Sequence, residues 1–288
     1  MMDPDQKDGP WDVVIRPHAK WWRPDVKELW NFRDLLVLFV RRDLLAVYKQ
    51  TILGPLWQVV QPVLTSVMFA VIFGLMARMS PEGTPPLLFY MAAVVPWTFF
   101  ANIIQRTSQT LIWNATLMSR VYFPRLLAPM ATTLSTMVSF VIQIASFVVI
   151  AMGYQLFGTY TWQPGPDLFM LFPLIGIMTL LAFSVGILVA ALTTKYRDLT
   201  FLLTFGIQLL MFMSPVIFPL AMVEKGTTLR TVIELNPMSA VLEGFRAALL
   251  GTPMEWGSLV YSCIFTVISL IVGLAMFQRI QRSFADVV

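Results

Sequence analysis

The chain has 288 residues, 57% of them hydrophobic and only 12% charged, which leaves room for little beyond a membrane domain and short loops. Its net charge of +4 would suit a nucleic-acid binder if the chain were soluble; with so few charges it suits basic loops held on the inner side of a membrane. A single cysteine, Cys263, excludes an internal disulfide framework, and no His/Cys/Asp/Glu cluster has metal-site spacing.

Residues 1–10 are polar, with proline and glycine, and read as a disordered start. Trp11, Trp21, Trp22 and Trp30 then alternate with Arg16, Lys20, Arg23 and Lys27. Trp favours the headgroup layer and basic groups favour anionic lipid, so this segment reads as lying on the inner membrane face, or else as a loop packed on the protein's own cytoplasmic end. Residues 34–49 follow as an amphipathic helix too charged to cross, ended by Gly54 and Pro55. The first 56 residues hold no apolar run of the kind a cleaved signal needs.

Six stretches without a charged residue come next, at 57–77, 86–105, 126–166, 168–194, 199–223 and 256–278. A hydrocarbon core roughly 30 Å thick needs about 20 residues of helix, and each stretch supplies one crossing; in the third, Gly153, Gly158 and Pro164 break the second half into loop. The expected fold is all-α: a polytopic membrane protein with six transmembrane helices and an N-terminal amphipathic interfacial helix. Its segments are a cytoplasmic and interfacial 1–56, a transmembrane 57–278 and a tail 279–288. Nine Lys and Arg precede the first crossing; the alternate segments 106–125, 195–198 and the tail carry three, two and two. The intervening loops carry one, none and three, which places both termini in the cytoplasm.

Prolines 62, 96, 129, 173, 215 and 219 lie within the stretches, and Pro215 and Pro219 should break the fifth helix near its outer end. Ala182, Gly186 and Ala190 make a small-residue face on the fourth. After the fifth, Asn236 and Pro237 signal a helix start and Gly251 a stop. Between them Met238, Val241, Leu242, Phe245, Ala248 and Leu249 form one face, with Glu243 and Arg246 on another, so a short amphipathic helix is expected at the outer surface.

The chemistry is mostly that of absence. No GxxxxGK[ST] loop occurs, the lone His18 lies outside the crossings, and none of the six stretches holds the ionisable group a proton- or sodium-coupled carrier needs. What remains is neutral amides, among them Gln58, Gln61, Asn102, Gln105, Gln143 and Gln208, with Tyr90, Trp97, Phe99 and Phe100 in the second crossing. These suit hydrogen bonding and stacking on sugars, and equally suit helix bridging and interfacial anchoring. Residues 106–125 hold three basic and no acidic residues and end in Arg120-Val-Tyr-Phe-Pro-Arg125, a surface suited to docking on another protein or to a topology anchor. Lys195-Tyr-Arg-Asp198 crowds charge into a short turn.

The segments Tyr48-Lys-Gln-Thr-Ile-Leu-Gly-Pro-Leu-Trp57, Val95-Pro-Trp-Thr-Phe-Phe100, Val121-Tyr-Phe-Pro-Arg125, Tyr196-Arg-Asp198, Ser214-Pro-Val216, Leu235-Asn-Pro-Met238 and Glu243-Gly-Phe-Arg246 occur in an order that makes the set specific. From about Phe32 onward the chain resembles the permease subunits of ABC transporters that export polysaccharides: O-antigens, capsules and teichoic acids. The family commonly has arginine where this chain has Val47, and lysine where it has Arg120.

The resemblance implies a homodimer in the cytoplasmic (inner) membrane, with two separate ATPase subunits that bind ATP and Mg; this chain itself is no enzyme and holds no cofactor. It implies ATPase coupling at Asn114, Leu117, Arg120, Tyr122, Phe123, Pro124, Arg125, Tyr196, Arg197 and Asp198. A lipid-linked glycan would pass Gln58, Gln61, Tyr90, Trp97, Phe99, Phe100 and Asn102. An outer gate would comprise Pro215, Asn236, Pro237, Glu243 and Arg246, and Trp21, Trp22 and Trp30 would meet membrane lipid. No nucleic-acid partner is implied. Rival readings are an ABC permease for drugs or other lipids, and a membrane-embedded lipid glycosyltransferase or acyltransferase.

Overall fold

In the computed structural model, residues 26–49, 54–81, 83–164, 168–193, 196 and 198–283 are described, and all their regular elements are helical. The Trp11, Trp21, Trp22 and Arg197 expectations lie outside the described residues. Five helices are long and apolar enough to cross a bilayer: Gly54–Met76, Pro86–Trp113, Leu127–Leu156, Leu168–Thr193 and Trp256–Ile280.

The N-terminal part begins with α1 (Val26–Asn31) and α2 (Arg33–Tyr48), separated by a break at Phe32. Helix α2 has apolar residues on two sides. Phe39 is buried against Phe123, Leu127, Ala128 and Ala131, while Val37, Leu38 and Leu45 are exposed. Helix α3 (Trp57–Phe69) carries Pro62, whose missing N–H frees a position in the ladder, and Ser66 Oγ bonds back to the Pro62 carbonyl at 2.8 Å. The helix then widens into a π-helical turn, Ala70–Met76. Here Gly74 meets the start of the next helix so closely that a Cβ would lie 2.8 Å from Pro86 Cβ.

That next helix, α4 (Pro86–Trp113), is the centre of the bundle. It packs on α3, on α6 (Leu127–Leu156), on α7 (Leu171–Thr193) and on α10 (Pro237–Leu250). Residues 88 to 97 are buried without interruption, so the helix has no solvent or lipid face there. A helix that is apolar all round belongs in a core or in lipid, and here other helices surround it. The small face on α7 serves this packing: Ala182 and Ala190 are fully buried, and a Cβ on Gly186 would stand 2.8 Å from Thr107 Cβ. Helix α11 (Trp256–Ser283) closes on α7, with Gly273 against the Ser184 carbonyl and Ser184 and Ser269 hydroxyls 2.8 Å apart.

The stretch 199–223 departs from a single crossing helix. Helix α8 (Leu199–Phe212) has 14 residues, about 21 Å at 1.5 Å per residue. The chain then runs irregularly through Ser214, Pro215, Val216 and Ile217, all buried, into a short 3-10 turn at Leu220–Met222. Two prolines four residues apart cannot both sit in an α-helical ladder, which is why the helix stops. Two short helices follow, α9 (Thr228–Leu235) and α10. Thr227 caps α9, Asn236 accepts from Met238 N to cap α10 with Pro237 in its first turn, and Gly251 ends it at φ +74.

Candidate functional site

At one end of the bundle α4 finishes in a polar cap. Asn114 Nδ2 donates to the Thr110 carbonyl at 2.9 Å, and its Oδ1 accepts from Arg42 Nη1 of α2 at 3.1 Å. The short α5 (Ala115–Arg120) leads away with Leu117 half-buried, and the chain turns extended at Val121. Phe123 is buried edge-on to Phe39, ring centroids 5.4 Å apart, and the Tyr122 hydroxyl donates to Glu28 of α1 at 3.1 Å. Pro124 opens α6 through its carbonyl, and half-buried Arg125 is made less basic by desolvation. The result is a loop fastened from behind by Asn114 and Phe123 that presents Arg120, Val121 and Tyr122 to the outside.

Tyr196 and Asp198 are exposed at the same end, because Thr193 Oγ1 at the end of α7 donates to the Ser108 carbonyl near the end of α4, at 2.9 Å. Trp30 is exposed on α1, with the Arg33 guanidinium 5.6 Å over its ring.

Along the bundle the amides and aromatics separate. Gln61 is exposed and Gln58 half-buried on α3, and Asn102 is half-buried on α4. Tyr90, Trp97, Phe99 and Phe100 are packed inside the chain's main core, Phe99 stacked on Phe140 at 4.4 Å. The core aromatics therefore shape α4's packing, while Gln58, Gln61 and Asn102 hold more accessible positions.

At the opposite end the irregular segment after α8 is held by side chains. Arg246 Nη2 donates to the Val216 carbonyl at 2.9 Å, and Nη1 to the Phe218 carbonyl and to Glu243 at 2.8 Å. Glu243 also accepts from Leu220 N, and Asn236 Nδ2 donates to Ser214 Oγ. Pro215 is buried within the held segment, and the Pro237 carbonyl accepts from Ser262 Oγ of α11 at 2.7 Å.

The sequence pattern placed Arg246 on a polar outer face; it is instead 1% exposed, its guanidinium 4.1 Å over the Phe89 ring. The predicted apolar face, Met238 to Leu249, is buried as expected. Arg246 joins it because a broken helix offers free carbonyls, and these acceptors together with Glu243 offset the several kcal/mol of desolvation that a lone buried charge would cost, by order of magnitude.

Three residues with structural roles here escaped the sequence reading: Arg42, Arg230 and Glu255. Only Arg230 carried a local signal, its i,i+4 spacing to Glu234.

The chain matches the family described as "ABC-2 type transporter" over residues 34–250. An O-antigen export system permease protein, RfbA, of Klebsiella pneumoniae is 28% identical over 259 residues, covering 88% of this chain and 95% of the relative. The protein of that name from Myxococcus xanthus is 25% identical over 224 residues, 77% of this chain and 82% of its own. The polysialic acid transport protein KpsM of Escherichia coli is 23% identical over 245 residues, with 80% and 87% covered.

Proposed function

Because the chain belongs to the ABC-2 type transporter family, we propose that it is the permease subunit of an ATP-driven exporter of lipid-linked polysaccharide, of the O-antigen kind. The observation that carries this is a likeness spread over nearly the whole chain to permeases named for such glycans. In this reading α8 and the segment behind it count as the fifth of six crossings, both termini are cytoplasmic, and α1–α2 with Trp21, Trp22 and Trp30 lie at the inner lipid interface. Two copies form the pathway in the inner membrane. Two separate ATPase subunits bind ATP and Mg and dock on Asn114–Arg125 and on Tyr196, Arg197 and Asp198.

The glycan meets Gln58, Gln61 and Asn102, with Tyr90, Trp97, Phe99 and Phe100 as the packed interior of the pathway wall. Pro215, Asn236, Pro237, Glu243 and Arg246 belong to the outer gate. Nucleotide favours one arrangement of the loops over another by differential contact, which is the thermodynamic requirement for coupling.

The test is a mild-detergent purification of the tagged chain, with mass spectrometry of stoichiometric partners. An ATPase subunit supports the exporter. Its reproducible absence with the chain folded overturns the reading and favours a membrane enzyme, which would act without nucleotide. Lipid-linked glycan accumulating in a deletion strain separates polysaccharide from drug or other lipid cargo.

A further inference from the structure

Helix α9 buries a charged residue, Arg230, beside the apolar Ile233. Its Leu229 and Leu235 are about three-fifths exposed, whereas Arg230 is 4% exposed. The Arg230 guanidinium donates to the carbonyls of Leu220 and Val223, at the end of the irregular segment, and pairs with Glu234 of its own helix. It also reaches Glu255, just ahead of α11, at 3.5 Å. One side chain thus ties the segment after α8 to the start of α11. An arginine turned inward is tolerated only where acceptors surround it, and here they come from three separate elements.

We propose that Arg230 is a positioning residue of the outer gate, holding residues 214–223 against α11 through Glu255 and keeping the pathway shut between transport cycles. This rests on the exporter reading above. The hold is built to exchange. Glu255 is 49% exposed, so it can leave Arg230 for water without stranding a buried carboxylate. A small cavity lined by Leu220, Glu234, Ser239, Glu243, Glu255 and Ser258 adjoins Glu255. The Ser239 hydroxyl, which lines the same cavity, is buried without a partner, so this arrangement does not use all its hydrogen-bonding capacity. Opening therefore breaks the Arg230–Glu255 contact first, while the carbonyl contacts travel with the segment.

The experiment purifies the chain with whatever subunit accompanies it, reconstitutes it in liposomes loaded with carboxyfluorescein, and follows dye release without nucleotide. Wild type should be tight. Glu255→Gln should leak at least about ten-fold faster, equivalent to about 1.4 kcal/mol of lost closure, with wild-type insertion and melting temperature. Arg230→Gln should leak more, and Arg230→Lys should recover part of the seal, which loss of general packing would not produce.

Wild-type tightness in both Glu255→Gln and Arg230→Gln overturns the proposal; if Arg230→Gln does not insert, Glu255→Gln decides alone. Absence of an ATPase subunit from the wild-type sample would sink the exporter reading instead, and is seen before any leak is measured.

Discussion

Arg42 Nη1 lies 3.1 Å from Asn114 Oδ1, so a residue of α2 reaches the cap of α4 at the point where the loop to α6 leaves it. Asn114 is 8% exposed and makes a second hydrogen bond to the Thr110 carbonyl. Asn114→Ala should lower stability by ~1–2 kcal/mol, from two lost hydrogen bonds. It should also reduce substrate-linked ATP hydrolysis by the assembled complex. Asn114→Asp keeps an acceptor for Arg42 and should retain most of the coupling; thermal unfolding and a phosphate-release assay on the same preparations read both effects.

Arg120 ends α5 and is exposed. Arg120→Glu should insert normally, with stability within about 0.5 kcal/mol of wild type. Recovery of the ATPase subunit in the pull-down should drop at least about ten-fold, since a reversed charge opposes a docking surface more than it weakens a fold. Undiminished recovery would remove Arg120 from the docking surface.

Three close-packed glycines should rank by what a new methyl meets. Gly273→Ala would place Cβ 2.7 Å from the Ser184 carbonyl oxygen, a backbone atom that cannot step aside, whereas Gly244→Ala meets the end of the flexible Leu174 side chain. Gly186→Ala meets Thr107 Cβ, near the backbone, and should fall with Gly273. The costs should be ~1–3 kcal/mol for Gly273 and Gly186, and less for Gly244, measured as melting temperatures in one detergent.

Tyr122 has its pKa raised by burial, and further by its hydrogen bond to Glu28 and that residue's charge. A raised pKa on an acid means the neutral form is the one the fold favours. The contribution is therefore complete below the unfolded value of about 10 and is lost as pH rises through the folded value. Wild type should lose melting temperature more steeply than Tyr122→Phe above about pH 10, and the two should run parallel at neutral pH.

Much of this was written in local chemistry. The Asn236 cap, Pro237 and Gly251 delimit α10 because each acts within a few residues. The loop between α4 and α6 was visible as the end of a run of basic and aromatic residues without an acid between them. The inward turn of Arg230 and Arg246 was not, since the carbonyls that receive them lie 7 to 30 residues away, at no helical spacing, and are free only because α8 stops early. Hydropathy counts 199–223 as one uncharged stretch and does not record where the ladder ends. The π turn at Ala70–Met76 left no mark either: a shift of hydrogen-bond partner by one residue changes no composition. The tie between Arg42 and Asn114 spans 72 positions and has no periodic signature.

The burial of residues 88 to 97 of α4 on every side also bears on how the chain is made. A nascent chain leaves the ribosome from its N-terminus, so α4 is finished before α6, α7 and α10, the helices that cover it, have been synthesised. Until then its Asn102, Gln105 and Arg106 lack the surroundings they have in the finished bundle, and the helix waits at the insertion machinery or in lipid with those groups uncovered. The late arrival of α7 and α10 around a helix already in place thus completes this part of the bundle, and premature release of shorter chains would leave α4 without that cover.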